Sequence, residues 1–438
     1  MGTVAGSVWP PAYVDHAPLA AMAMMIEASQ WHPAEELAAG QAAQLRVLID
    51  HHARNNPQFA ERLKRAGVSA EDIASSATLA SLPPMTRFDA QQLTETANIP
   101  AAHCPVAPVQ SSGSSGIPVR IVKTQLTQLM WQAMTLRYHR WSDALGGRLA
   151  CIRYGVGATV DADDWGLPSS VFHDTGPMRR IDVTTTLDDQ ALLLRRFRPD
   201  TVQAYPSNIE ALLTTDPDAF ASASTFLTVG ETVSDALRAE LSQTARVFDC
   251  YSAEEVGYIA LQCPDAPAYH SMAESLIVEI IGEDGQLCAT GETGRVIVTD
   301  IHNFAMPVIR YDTGDYADAG ASCSCGRGLP TIARIRGRWR GMLTLPDGSR
   351  HWPLTGIYGF REIASVRQYQ MIQHAPDRIE LRFLIDTPLT ADQTAAMQTY
   401  LQGRVGHGIA FTIICFADRL PPGPRGKTDE FISLIGEN

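Results

Sequence analysis

Residues 200–251 read DTVQAYPSNIEALLTTDPDAFASASTFLTVGETVSDALRAELSQTARVFDCY. Short apolar segments alternate here with segments rich in Ala, Leu and Glu, a pattern typical of strands that alternate with helices. Strands are predicted at residues 200–205, 225–229 and 246–251, and helices at residues 207–213 and 235–244. Because alternating strands and helices form parallel sheets with helices on their faces, this stretch predicts an α/β fold.

The rest of the chain extends this pattern and then departs from it. A strand is predicted at residues 149–154 and a helix at residues 187–197, whereas residues 34–66 are predicted to be helical and strands dominate after residue 270. The C-terminal part follows a β-β-α-β order, with its elements at residues 366–373, 378–385, 391–401 and 409–416. We therefore expect a large N-terminal domain with parallel and mixed sheets between helices, followed by a small α+β domain.

The composition is that of a soluble globular protein. The chain has 438 residues, which suggests two or three domains, and its hydrophobic and charged fractions of 45% and 19% are ordinary. A net charge of −13 argues against a nucleic-acid-binding surface, which is normally basic. We expect neither a membrane span nor a signal peptide, and the eight cysteines do not suggest a disulfide framework. A cytoplasmic protein is therefore expected.

A loop rich in Ser and Gly is the sharpest local signal. Residues 111–118 read SSGSSGIP, with two glycines that let backbone amides converge and four hydroxyls that add donors. Such a loop suits phosphate oxygens, although it lacks the Gly-Lys-Ser/Thr ending of the P-loop. The alternative is a flexible linker, but the β-prone residues 119–123 follow directly, and linkers rarely lie between ordered elements.

Three further places offer charged groups. Glu254 and Glu255 follow a predicted strand, where a carboxylate can hold Mg²⁺ against phosphates; the alternative is an acidic helix start. Asp315 ends IRYDTGD and can accept the hydroxyls of a ribose, unless this segment is a plain β-turn. Lys427 ends the rigid segment PPGPRGK, where a compact ammonium can bridge a carboxylate and an α-phosphate, although most lone lysines are solvated.

Taken in order, these stretches resemble the motifs of the adenylate-forming superfamily of acyl–coenzyme A synthetases, adenylation domains and luciferases. Residues 111–118 resemble its phosphate loop, residues 251–257 its Tyr-Gly-x-Thr-Glu stretch and residues 311–315 its Tyr-Arg-Thr-Gly-Asp motif. Gly337-Arg338 resembles the hinge motif, and Gly426-Lys427 the C-terminal lysine motif. The phenylacetate–coenzyme A ligase group is the most similar in detail, through residues 56–59, 82–84, 205–207, 230–231 and 323–330.

The resemblance implies a role for each motif residue. The β- and γ-phosphates of ATP would be held by Ser111, Ser112, Gly113, Ser114, Ser115 and Gly116. The rest of the nucleotide would contact Gly230 and Glu231 beside the adenine, Tyr251 stacked near it, Ser252, Glu254, and Asp315 at the ribose. Glu255 would bind Mg²⁺, Arg338 would contact phosphate or ribose, and Lys427 would orient the acid against the α-phosphate. Residues 1–337 would form the ATP- and acid-binding domain, and residues 338–438 a mobile lid.

Three departures from the family pattern bear on the substrates. Glu254 stands where the family has Thr or Ser, and its carboxylate would repel phosphate unless it turns away, is protonated or meets a cation. Arg340 stands where the hinge usually has Asp. Residues 345–353 differ from the Gly-rich segment that approaches the thioester acceptor, so coenzyme A, a carrier-protein thiol and an amine all stay open as acceptors.

Two short clusters predict a structural zinc site. Cys263 and His270 form one cluster, and Cys323 and Cys325 form the other. Three thiolates and one imidazole complete a tetrahedral shell, which suits a structural zinc ion, and members of the resembled group often carry Cys and His at these places. The alternative is a set of buried free thiols with a surface histidine.

The function implied is the ATP-dependent, AMP-forming activation of a small aryl or amino-aryl acid, followed by transfer to a thiol or an amine. One alternative on the same scaffold is the activation of nitrite for diazotisation of an aryl amine. Another is a nucleotide-binding module without catalysis, against which the joint presence of Glu255, Asp315 and Lys427 argues. The expected partner is a small-molecule acid, with a carrier protein and a homodimer as further options, and neither nucleic acid nor a membrane.

Overall fold

The computed structural model describes residues 16–110, 119–338, 342–351, 360, 362–405, 408–417, 420–421 and 431–435. The chain forms two compact units. The first unit consists of Met1–Gly146, Asp164–Thr175 and Asp249–Ile335, and the second of Gly147–Asp163, Gly176–Phe248 and Arg336–Asn438. The domain boundary expected at residues 337–338 stays a prediction.

Helices come first, helices and strands alternate in the middle of the chain, and strands dominate from Arg246 onward. The helices are α1 (Ala17–Ser29), α2 (Ala34–Asn55), α3 (Pro57–Ala66), α4 (Ser76–Leu79), α5 (Arg87–Gln91), α6 (Gln125–Trp141), α7 (Ser169–Phe172), α8 (Leu187–Phe197), α9 (Pro206–Thr215), α10 (Asp235–Leu241) and α11 (Ala391–Val405), with short 3₁₀ helices at Ala101–His103 and Pro217–Phe220. The strands are β1 (Val106–Gln110), β2 (Arg120–Thr124), β3 (Leu149–Arg153), β4 (Val160–Ala162), β5 (Met178–Asp182), β6 (Thr201–Ala204), β7 (Thr225–Val229), β8 (Arg246–Ala253), β9 (Gly257–Gln262), β10 (Tyr269–Ser271), β11 (Leu276–Ile281), β12 (Thr293–Asp300), β13 (Tyr311–Ala319), β14 (Thr331–Arg338), β15 (Leu343–Thr344), β16 (Arg350–His351), β17 (Val366–Ala375), β18 (Arg378–Ile385), β19 (Ala410–Phe416) and β20 (Phe431–Ser433).

The first unit is built on a sheet in the order β11-β12-β13-β14-β10-β9-β8. Neighbouring strands such as β8 and β9, or β11 and β12, run antiparallel. Strands β1 and β2 form a separate antiparallel pair, in which Gln110 lies opposite Arg120. The Ser- and Gly-rich segment between them, residues 111–118, lies outside the described residues. The main apolar core combines β2 with the sheet strands, and a second core joins α2, α3 and α4 to Ile277, Ile301 and Phe304.

The helical region predicted at residues 34–66 is two helices. The Asn56 side chain accepts a hydrogen bond from the Phe59 amide at 2.9 Å and so caps α3. Pro57 follows as the first helical residue, where its missing N–H costs nothing. Asn56 itself is extended, with φ −128° and ψ 105°, and it therefore ends α2.

The second unit contains the predicted parallel sheet, so the α/β assignment is confirmed. Its strands lie in the order β7-β6-β3-β5-β4, with β4 as an antiparallel edge. Helices α8, α9 and α10 contribute to its apolar core. The C-terminal part forms a second sheet in the order β19-β18-β17-β20, on which α11 packs Met397 and Leu401. The short strand β20 was not predicted.

None of the described helices combines the length and the apolar run that a membrane crossing needs.

A buried ion pair supports the loop that leads into β13. Arg310 and Glu279 are 2% and 4% exposed, and the guanidinium donates from Nε to Oε2 and from Nη2 to Oε1, each at 3.0 Å. The same guanidinium also donates to the carbonyl oxygens of Ala80 and Leu82. Such a pair is retained because either charge alone would be strongly disfavoured in the interior.

We expect the substitution Glu279→Gln to cost about 3–5 kcal/mol of unfolding free energy, because it leaves the Arg310 charge buried without its partner. A matched control is Asp50→Asn, which breaks the exposed Asp50–Arg54 pair (2.6 Å) and should cost at most about 1 kcal/mol. Urea titration of both variants checks this, and equal losses would contradict it.

Candidate nucleotide and acid site

The two acidic residues lie in the turn of a β-hairpin. Strands β8 and β9 pair from Cys250 with Leu261 to Ala253 with Gly257, and Glu254 and Glu255 fall in the connection. The helix start considered as an alternative is therefore not what forms. Glu254 is exposed, whereas Glu255 is buried.

A β-bulge presents Asp315. Ile297 pairs with Asp312 and Arg295 with Tyr316, so residues 313–315 lie opposite the single residue between those partners. Gly314 has φ +76°, which glycine adopts without strain. Because bulges redirect side chains, the glycine serves to aim Asp315 away from the regular strand.

Tyr251 joins the bulge to the acidic hairpin. Its Oη donates to Asp315 Oδ2 at 2.6 Å and lies 3.3 Å from Thr313 Oγ1. Tyr251 is buried, so this contact is shielded from solvent. The structure thus brings together two sequence motifs that lie 64 residues apart.

Glu255 is held by two side chains of the same unit. Tyr311 donates from Oη to Oε1 at 3.3 Å, and Arg87 Nη1 lies 3.5 Å from the same oxygen. Burial, reinforced by the Glu255 carboxylate, raises the pKa of Tyr311 and keeps its hydroxyl a donor. Sequence reasoning missed Arg87 because it lies far upstream in the chain and no local pattern marks it. Arg87 and Tyr311 both face Oε1, so an Mg²⁺ ion at Glu255 could bind through Oε2 or share Oε1.

A cavity of about 190 Å³ lies directly behind the acidic turn. Its lining residues come from the hairpin, from helix α6 and from strands on either side: Val109, Lys123, Thr127, Gln128, Met130, Trp131, Met134, Glu254, Val256, Gly257, Tyr258, Ser275 and Asp300. A Cβ at Gly257 would meet the Trp131 ring at 3.2 Å, so glycine allows this close approach. The rings of Trp131 and Tyr258 form an aromatic wall, with centroids 5.0 Å apart.

Lys123 is the buried cation of this cavity, and sequence reasoning gave it no role. Burial lowers the pKa of its ammonium, while the carboxylates of Asp300, Glu255 and Glu254 act in the opposite direction. Burial raises the pKa of Asp300, against the effect of Lys123 and of the His302 amide that donates to Oδ1 at 3.0 Å. The cavity is therefore polar at this end and aromatic at the wall formed by Trp131 and Tyr258.

The structure also brings the four residues of the candidate zinc site together. One ligand atom from each of Cys263, His270, Cys323 and Cys325 lies within 4.8 Å of all the others. Cys263 Sγ and Cys323 Sγ are 3.9 Å apart, and Cys325 Sγ lies 3.3 Å from His270 Nε2. A tetrahedral zinc ion separates two thiolate sulfurs by about 3.8 Å and a sulfur from an imidazole nitrogen by about 3.6 Å, so the donor set fits.

Groups around this cluster orient its ligands. His270 Nδ1 hydrogen-bonds the Leu329 carbonyl at 3.1 Å, which leaves Nε2 to face the sulfurs. Arg327 lies between the rings of Trp31 and Trp141, at 4.6 Å and 4.7 Å from their centroids. Burial raises the pKa of the Cys263 thiol to about 12. Burial acts in the same direction on Cys325, but hydrogen bonds from Arg327 outweigh it and lower the pKa of that thiol.

The remaining candidate residues lie in the second unit, in the hairpin of the first unit or outside the described residues. In the second unit, Glu231 Oε2 accepts from the Ser207 amide at 3.0 Å, and Gly230 has φ +76°. Arg338 is exposed at the end of β14, directly after Gly337, which has φ +86°. Ser252 pairs with Tyr258 in the hairpin of the first unit. The candidate residues outside the described part of the chain are Ser111, Ser112, Gly113, Ser114, Ser115, Gly116 and Lys427.

Comparison with known structures defines the class of fold. The chain superposes on 2-hydroxyisobutyryl-CoA ligase, in its postadenylation complex with 2-HIB-AMP, with a TM-score of 0.65 and 16% identity, covering 92% of this chain and 90% of that one. It also matches the anthranilate CoA ligase AuaEII, in complex with anthranoyl-AMP, with a TM-score of 0.50 and 15% identity, over 73% of this chain and 65% of that one. The fold is therefore that of the adenylate-forming ligases.

Comparison with curated sequences narrows the resemblance. The phenylacetate–coenzyme A ligase of Aromatoleum evansii is 27% identical over 335 residues, which cover 71% of this chain and 72% of the relative. The enzyme of the same name from Escherichia coli strain K12 is 26% identical, over 71% of this chain and 73% of the relative. No family model matches the chain. The resemblance inferred from the motifs is confirmed.

We expect the purified protein to contain about one zinc ion per chain, because three thiols and one imidazole lie at tetrahedral distances. Removing one ligand by Cys325→Ser should release the metal and lower the melting temperature by several degrees, since metal binding and folding are coupled. Elemental analysis and thermal unfolding measure the two effects. Cys104→Ser, at an exposed cysteine outside the cluster, is the matched control. Zinc well below one per chain, together with an unchanged melting temperature for Cys325→Ser, would exclude the site.

Proposed function

We propose that the chain is an AMP-forming ligase that activates a small carboxylic acid and transfers it to coenzyme A. In the first step a carboxylate oxygen attacks the α-phosphorus of ATP, and pyrophosphate leaves. In the second step the sulfur of coenzyme A attacks the acyl carbonyl, its proton is lost, and AMP leaves. The observation that carries this proposal is the Tyr251–Asp315 contact of 2.6 Å, which joins the acidic hairpin to the bulge motif.

The roles proposed for the residues follow from their chemistry. Asp315, presented by the bulge, accepts hydrogen bonds from the ribose hydroxyls, and Tyr251 fixes its carboxylate. Glu255 is the proposed Mg²⁺ ligand; a bound Mg²⁺ would neutralise phosphate charge, as carboxylate-bound magnesium does in other nucleotide sites. Catalysis of this kind depends mainly on positioning and charge neutralisation.

The other proposed roles rest on the motifs alone. Residues 111–116 hold the β- and γ-phosphates, Gly230 and Glu231 border the adenine, Ser252 and Glu254 complete the nucleotide site, and Arg338 contacts phosphate or ribose. Lys427 orients the acid. The proposed boundary between the ATP-binding domain and the lid lies after Gly337, whose positive φ of 86° suits a hinge.

The cavity supports an organic acid of about one ring as the substrate. An engineered apolar cavity of about 150 Å³ binds benzene, so 190 Å³ gives room for one ring with a substituent. The walls of Trp131 and Tyr258 suit an aryl group. The alternative, activation of nitrite, would place an aryl amine of the same size in the site, so the cavity volume does not separate the two and the assay below includes nitrite.

Coenzyme A is the proposed acceptor because the similar proteins found are named as coenzyme A ligases. The test is to supply ATP, Mg²⁺ and a panel of aryl, amino-aryl and aliphatic acids, with nitrite included, and to measure pyrophosphate and AMP. Each reaction is repeated with coenzyme A, with a carrier-protein thiol and with an amine. AMP formation that depends on an acid and coenzyme A supports the proposal, and its absence for every acid overturns it.

We expect Asp315→Ala to weaken ATP binding by about 1–3 kcal/mol, because two ribose donors lose their acceptor. Isothermal titration calorimetry measures the affinity. Tyr251→Phe, which removes only the hydroxyl that holds Asp315, should cause a smaller loss in the same direction. Asp284→Ala, at an exposed turn, is the control. An unchanged affinity for Asp315→Ala would contradict the ribose role.

We expect Lys427→Ala to remove most adenylation while ATP binding stays near the wild-type value. The ammonium acts mainly as charge develops during attack on the phosphorus, so its loss should appear in kcat more than in affinity. Pyrophosphate exchange measures the rate, and Lys64→Ala, on the exposed face of α3, is the matched control. Exchange at the wild-type rate would refute this role.

A further inference from the structure

The ammonium of Lys123 is a buried cation that points to a ligand. The side chain is 6% exposed and lines the cavity behind the acidic turn. Within the described part of the chain, no residue forms a hydrogen bond with it or an ion pair within 4 Å. A buried ammonium carries three N–H donors, and leaving them unsatisfied is costly. The donors of Lys123 therefore face the cavity, where a bound molecule can accept hydrogen bonds from them.

The charges around Lys123 restrict what that acceptor can be. Asp300 lines the same cavity and is 2% exposed, and Glu254 lines it as well. Together with Glu255, these carboxylates act electrostatically on Lys123. Because Glu255 already faces Arg87, the carboxylates left to Lys123 are those of Asp300 and Glu254, which still outnumber it.

Three common substituents of a small aryl acid can be compared at this place. A second carboxylate would accept from Lys123 but would add a negative charge beside Asp300 and Glu254. An amino group would donate to the carboxylates, yet its lone pair is delocalised into the ring and is a poor acceptor for the ammonium. A hydroxyl group both accepts and donates, so it can accept from Lys123 and donate to Asp300 at once.

We propose that Lys123 and Asp300 form a subsite that selects small acids bearing a hydroxyl group, with a hydroxyaryl acid as the class that also fits the Trp131–Tyr258 wall. This inference rests on the proposed function and adds the substrate class of that site. Lys123 acts here as a specificity residue, since it contacts the substituent of the acid and takes no part in the attack on phosphorus.

The test compares acids that share one ring. Benzoate, its three hydroxy isomers, its three amino isomers and isophthalate are supplied with ATP, and kcat/KM for AMP formation is measured. We expect the best hydroxy isomer to exceed benzoate and every amino isomer on the order of tenfold or more, as hydrogen bonds to charged groups imply. A preference for an amino isomer, isophthalate or unsubstituted benzoate overturns the subsite.

Two variants test whether the ammonium of Lys123 causes the preference for hydroxy acids. Lys123→Met nearly keeps the length of the side chain and removes the donors, so the ratio of kcat/KM for the best hydroxy isomer to that for benzoate should fall to within about twofold of unity. Lys64→Met makes the same exchange on the surface of α3 and should leave the ratio unchanged. An undiminished ratio in Lys123→Met refutes the proposal.

A second measurement uses the unaltered protein and does not depend on turnover. The chain has only three lysines, Lys64, Lys123 and Lys427, so acetylation by acetic anhydride can be mapped on each by mass spectrometry. The best hydroxybenzoate should protect Lys123 several-fold more than benzoate does and should not protect Lys64. Protection without AMP formation would overturn the proposed function and keep the subsite, whereas AMP formation without hydroxyl-dependent protection would do the reverse.

Discussion

The candidate nucleotide site of the first unit depends on the buried pairing of Arg310 with Glu279. The guanidinium donates two hydrogen bonds to Glu279 and further ones to the carbonyl oxygens of Ala80 and Leu82. The segment after α4, strand β11 and the residue before β13 are therefore joined through one side chain. Arg310 has φ +51°, a left-handed conformation that a residue other than glycine adopts only where its surroundings impose it. The ion pair holds this conformation together with two backbone contacts of Arg310, whose N–H donates to Thr299 Oγ1 and whose carbonyl accepts from the Met85 amide.

Two tyrosines then hold the acidic side chains of the site in place. Tyr311, the first residue of β13, reaches Glu255, and four residues later the bulge turns Asp315 toward Tyr251 of β8. The two acidic motifs are therefore positioned by hydroxyl groups from buried rings rather than by opposite charges alone. An ordered carboxylate pays little further entropy when a nucleotide or a metal ion binds, which is the advantage of preorganisation.

Sequence reasoning succeeded where local pattern decides the structure. Helix α8 at Leu187–Phe197, strand β7 at Thr225–Val229 and strand β18 at Arg378–Ile385 have the predicted bounds, because each is a single periodic segment between clear turn signals. The break at Asn56 was missed, since a capping contact in the middle of a helix-favouring region changes few residues. The three-residue strand β20 was missed because its pairing with β17 is purely tertiary.

The candidate site shows the same division. Glu255 and Asp315 were found because they belong to motifs with fixed spacing. Arg87 and Lys123 were not, since an arginine at the start of α5 and a lysine in a β-prone run acquire meaning only when the fold places them beside Glu255 and Asp300. No rule of composition or periodicity contains that information.

The position of Lys123 also accounts for the most unusual residue of the acidic turn. Glu254 replaces the neutral donor that the family has at this point, and a carboxylate there would oppose both phosphate and acid unless a cation were near. The ammonium of Lys123, on strand β2, is that cation. Glu254 in turn acts to raise the pKa of Lys123, against the effect of burial. Each residue alone would be unfavourable in this cavity, one as a buried cation and the other as an anion beside anionic ligands. Both residues line the same cavity, so the cation that a carboxylate at position 254 requires is present on strand β2.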